Sequence, residues 1–83
     1  MKKDMLKWLK ELLAEKDSVE RNSLKRKILT SYPKLRYVVN DREREAKSKE
    51  NLKDSMSAYC KDVNESTRMH LLENIANFER QFV

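Results

Sequence analysis

Glycine is missing from all 83 residues, and the chain has only one proline, one cysteine and one histidine. Phosphate-cradling loops, dinucleotide turns and nucleophile elbows use glycine at positive φ or at close backbone approach, so none can be drawn here. Tight hairpins would rest on Asn or Asp alone. Cys60 and His70 are too few for a structural zinc site, which takes about four ligands at paired spacings. No metal and no cofactor are expected. A Cys60–His70 nucleophilic pair would have to form across a helix break, and a lone cysteine is more often a small buried hydrophobe. The expectation is a protein that is not an enzyme.

Other absences concern location. One cysteine forms no internal disulfide and suits a reducing compartment. The opening Met-Lys-Lys is followed by Asp4, Lys7, Lys10 and Glu11, which interrupt any apolar stretch of a secretory signal. No run approaches the roughly 18 apolar residues of a membrane span. A cytoplasmic protein with no membrane partner is expected.

What is present is charge and helical periodicity. Charged residues make up 40% and hydrophobic ones 39%. A chain this short buries about 60–65% of its unfolded surface, so most apolar positions must serve folding. One helical domain spanning 1–83 is expected, all-α, a small bundle of four or five short amphipathic helices. Residues 3–16 place Met5, Leu9 and Leu12 on one side, flanked by Leu6 and Leu13, with Trp8 at the edge as a core or dimer anchor. Asp17 or Ser18 can cap a second helix, with Leu24, Ile28 and Leu29 inward. Ser31-Tyr32-Pro33 stops it, because the residue before proline avoids the α region. A third helix is expected from Pro33, with Leu35, Val38, Val39 and Ala46 inward. Glu43–Lys47 and Glu45–Lys49 stand in the favourable i, i+4 order, and whether this helix runs to Val63 or breaks near Ser48–Asn51 stays open.

The last two patterns are the cleanest. Leu52, Met56, Tyr59 and Val63 repeat at spacings of 4, 3 and 4, with Cys60 flanking. Leu71, Ile75, Phe78 and Phe82 do the same, flanked by Leu72, and Asn64-Glu65-Ser66-Thr67 separates the two as an N-cap-rich break. The expected core is Leu9, Leu12, Leu24, Ile28, Leu35, Val39, Leu52, Met56, Tyr59, Leu71, Ile75 and Phe78. Met5, Met56 and Met69 read as core filler.

Function is concentrated in residues 21–37, which hold six bases (Arg21, Lys25, Arg26, Lys27, Lys34, Arg36) and no acid, while the rest of the chain nearly cancels around a net charge of +5. Two short helices meeting at Pro33 would outline a helix-turn-helix. Its second helix would present Lys34, Arg36, Tyr37 and Asn40 to bases, while Ser23, Arg26, Lys27 and Thr30 grip phosphate. Arg and Asn can read guanine and adenine edges bidentately. Arg21 and Lys25 fall at the apolar margin, and Arg44 lies on the outer face of the third helix. The leading expectation is thus a regulatory protein binding nucleic acid through Arg21, Lys25, Arg26, Lys27, Thr30, Lys34, Arg36, Tyr37, Asn40 and Arg44. Against it, the turn lacks the usual glycine, and Asp41, Glu43 and Glu45 would repel phosphates. The alternative is a helical adaptor or inhibitor docking on an acidic protein, with Tyr32 and Tyr37 beside the basic patch as anchors. Short amphipathic helices also leave apolar strips uncovered, so a homodimer is plausible.

Overall fold

The computed structural model describes residues 2–35 and 41–81. Four α-helices follow one another: α1 (Lys2–Ala14), α2 (Ser18–Ser31), α3 (Arg42–Lys61) and α4 (Glu65–Gln81). One turn of 3-10 helix, Tyr32–Lys34, follows α2, and no strand occurs among the described residues. The chain is all-α.

Helices α2, α3 and α4 each start where the sequence supplies a side-chain acceptor for the orphan amides. Asp17 caps α2, its Oδ1 accepting from the Val19 amide at 2.9 Å. Asp41 caps α3 by accepting from the Arg44 amide at 3.1 Å. At α4 the Asn64 Oδ1 accepts from the Thr67 amide at 2.9 Å, and the Asn64 amide donates back to Thr67 Oγ1 at 3.1 Å. That reciprocal pair is a capping box with threonine in the position usually held by Glu or Gln.

The helices pack in a ring in which α1 touches α2 and α4, and α3 touches α4 and α2. The most extensive of these contacts joins α3 to α4. Long-range hydrogen bonds fix the directions. Lys2 Nζ donates to the Glu79 carbonyl, so the start of α1 lies beside the end of α4. Tyr59 Oη and Arg68 Nη1 both donate to the Leu13 carbonyl, at 3.3 and 3.0 Å, so the end of α1 meets the end of α3 and the start of α4. Lys49 Nζ donates to the Pro33 and Leu35 carbonyls at 3.3 and 3.0 Å, bringing the segment after α2 against the first half of α3. Adjacent helices therefore run antiparallel. The shape is flattened, with extents of 37 × 23 × 15 Å.

One core cluster draws on every helix: Met5, Leu9 and Leu12 from α1, Ile28 from α2, Leu35, then Leu52, Met56 and Tyr59 from α3, and Leu71, Ile75 and Phe78 from α4. Ten of the twelve expected core residues are buried there; Leu24 is half-buried against the cluster, and Val39 lies outside the described residues.

Several expectations need correction. The third helix does not begin at Pro33. Proline occupies the 3-10 turn, Leu35 then adopts an extended conformation (φ −76°, ψ 153°), and α3 starts only at Arg42. Proline at the start of a turn fits either a new helix or a brief 3-10 turn, whereas Asp41 offers a cap just before the long charged run. From Arg42 the helix continues unbroken to Lys61, so no break occurs near Ser48–Asn51. Of the two i, i+4 pairs, Glu45–Lys49 closes at 3.0 Å, while Glu43 and Lys47 are exposed and do not pair. Ala46 is exposed rather than inward, Val63 lies beyond the end of α3 at 48% exposure, and Met69 is 59% exposed instead of filling the core. Ser55 was missed. It is 1% exposed, and its hydroxyl donates to the Leu52 carbonyl at 3.0 Å, which satisfies the one polar group there.

Candidate nucleic-acid interface

On α2, Ser23, Arg26, Lys27 and Thr30 follow at spacings of three, one and three, and so share one side of the helix. All four are exposed, whereas Ile28 is the only residue of α2 that is fully buried. Lys34, also exposed, follows in the 3-10 turn. The side chains of Arg26 and Lys34 donate no hydrogen bond and join no ion pair within the described residues. Thr30 is exposed, and its Oγ1 donates to the Arg26 carbonyl at 2.8 Å.

The other basic residues of this stretch have internal work. Arg21 Nη1 donates to the Glu15 and Lys16 carbonyls at 3.1 and 2.9 Å, tying the start of α2 to the exit from α1. Its Nε is buried without a hydrogen-bond partner among the described residues. Lys25 is half-buried and, with Arg21, lies close enough to Cys60 to act on its thiol. Lys27 extends over Trp8 of α1, its Nζ 4.7 Å from the ring centroid, a cation–π contact that leaves the residue exposed. Arg44 is exposed in the first turn of α3, between Glu43 and Glu45. Arg36, Tyr37 and Asn40 lie outside the described residues.

The antiparallel packing sorts charge along the bundle. The half with the starts of α1 and α3 and the ends of α2 and α4 (2–8, 25–35, 41–51, 74–81) carries twelve bases and six acids. The opposite half (9–24, 52–73) carries six bases and eight acids. One end is net +6 and the other net −2, a separation along an axis of 37 Å. Within α1 the first half is net +2 and the second neutral, within α2 the first half is neutral and the second net +3, and antiparallel packing sets the two basic halves side by side.

Cys60 is half-buried at the edge of the core. Burial pushes its thiol above the ordinary value of 9.0, and the positive charges of Lys25 and Arg21 oppose that rise without cancelling it. The thiol stays protonated near neutral pH, which removes its nucleophilic form. Sequence neighbours offered only Lys61; the two α2 cations arrive through tertiary packing. His70 is exposed. Among the described residues no group of three or more Cys, His, Asp or Glu is placed to hold a metal, and no helix is long and apolar enough to cross a membrane.

Comparison with protein-family models, with curated proteins and with solved structures returns no match.

Proposed function

We propose that the protein is a small non-enzymatic regulatory protein of the cytoplasm that binds nucleic acid through the outer face of α2 and the turn after it. The observation that carries the reading is the exposed stripe of Arg26, Lys27, Thr30 and Lys34, whose cations join no ion pair among the described residues, on the net +6 half of the bundle. Phosphate contacts from Lys, Arg and threonine hydroxyls position a protein on nucleic acid without reading its sequence. Since α3 starts at Arg42, no helix begins at Pro33 to enter a groove, and the reading rests on backbone charge rather than on a helix-turn-helix. An acidic protein surface is the competing occupant.

Titration of fluorescent duplex and single-stranded oligonucleotides at 50 and 200 mM salt separates the two. Three or four phosphates neutralised by Arg26, Lys27, Lys34 and a neighbouring base should lower affinity roughly 40- to 150-fold between those salts. The double change Arg26→Glu, Lys27→Glu should weaken binding to all sequences alike. Absence of any shift at 50 mM salt, together with salt-sensitive capture of an acidic protein, moves the function to the adaptor class.

A further inference from the structure

The described residues leave four large hydrophobic side chains exposed: Val19, Val63, Met69 and Leu72. Three of them lie in the α3–α4 turn or the first half of α4. Met69 is 59% exposed and Leu72 38%, and together they line a shallow groove with Ser66, His70 and Glu73. Along α4, Glu65, Met69, Leu72 and Ala76 follow at spacings of 4, 3 and 4, the spacing of a helix–helix seam. This seam lies to the side of the buried stripe Leu71, Ile75 and Phe78, so α4 presents one apolar line to its own core and a second to the outside.

We infer that a second copy of this chain covers the outer seam, with α4 packed antiparallel on the partner's α4 about a two-fold axis between Leu72 and Glu73. The chain carries net +5, and its two-ended charge complements a second copy only in the antiparallel direction. In this arrangement the net +6 half of each copy lies beside the net −2 half of the other; parallel pairing would set the two basic halves side by side. Residues equally far from the axis face each other, so Met69 meets Ala76, a large side chain against a small one, and Leu72 packs against the aliphatic stem of Glu73. Glu65 in the first turn meets Arg80 in the last, and both are exposed. An isologous contact of this kind closes on itself and leaves no further seam open. Two copies of the exposed Glu73 approach each other near the axis, an opposing term that keeps the association weak. The outer face of α2 stays clear, because α2 and α4 are not neighbours in the ring.

Sedimentation velocity from about 10 μM to 1 mM at 150 mM salt tests this, with a dissociation constant on the order of 100 μM expected for so small an interface. Leu72→Glu, and independently Met69→Lys, should weaken association by about tenfold or more while helical content and melting temperature hold, since both side chains are already exposed. Glu65→Arg and Arg80→Glu should each weaken it roughly three- to tenfold, and the double exchange should restore it. A chain that is monomeric at 1 mM overturns the inference, as does a dimer indifferent to both apolar changes. A double exchange no better than the single changes overturns the antiparallel pairing.

Discussion

Helices α2 and α4 stand on opposite sides of the ring and are held by different forces. Helix α4 buries Leu71, Ile75 and Phe78, whereas α2 buries only Ile28. Hydrophobic burial, at about 25 cal/mol per Å² of apolar surface, anchors α4. Helix α2 depends more on specific ties: the Arg21 bonds to the end of α1, the Lys27–Trp8 contact and half-buried Leu24 and Leu29. The outer faces differ in the same sense. That of α2 carries charge with no internal counter-charge, and that of α4 carries apolar surface with no internal cover. Both are features that folding does not require.

The sharpest way to break this contrast is at the inner side of α4. Leu71→Ala should cost about 2–5 kcal/mol, measured by urea unfolding, because the side chain is 0% exposed and leaves a cavity shared with its neighbours. For a domain whose total stability is about 5–15 kcal/mol, that is a large share. Arg21→Met comes next, at about 1–3 kcal/mol, since it leaves the Glu15 and Lys16 carbonyls without their charged donor. A loss below a few tenths would show that α2 is held by packing after all. Lys27→Met should cost only about 0.5–1 kcal/mol for the contact with Trp8, while Trp8 emission reports the change of its surroundings. It should also weaken nucleic-acid binding, whereas Leu72→Gln on α4 should not.

The smallest effect lies between the two helices, at Cys60. The folded chain holds the thiol proton to higher pH than the unfolded chain, so this contribution is intact below the ordinary value of 9.0 and declines as pH rises from there toward the raised folded value. Cys60→Ala should flatten that part of the alkaline decline in melting temperature. An identical slope in the variant would show that the thiol titrates alike in both states.

Much of the fold could be read from the residues because helical burial repeats every 3.6 positions. Leu52, Met56 and Tyr59, and then Leu71, Ile75 and Phe78, fall on the inner faces that their spacing predicts. The caps were equally local, since Asp17 and Asn64 need only amides two or three residues ahead. The start of α3 was less accessible. Pro33 and Asp41 are both competent beginnings, and the choice depends on Leu35 reaching the core in an extended conformation, with Lys49 holding the carbonyls of Pro33 and of Leu35 itself. Met69 misled for a different reason. Its side chain is as apolar as that of Met56, but it stands two positions before Leu71 and so on the far side of α4 from Leu71, Ile75 and Phe78, which helical spacing already implies.

For the candidate surface, composition located the basic stretch but could not divide its labour. Arg21 and Arg26 differ by five positions and by nothing in chemistry. Packing turns the first toward backbone carbonyls of α1 and leaves the second in solvent. Spacing along one chain thus determined the helices, their caps and most of the core, because those depend on neighbours within about four residues. The charge asymmetry, the division between structural and free cations and the uncovered seam on α4 were decided only by the tertiary structure, because each depends on which helix ends up beside which.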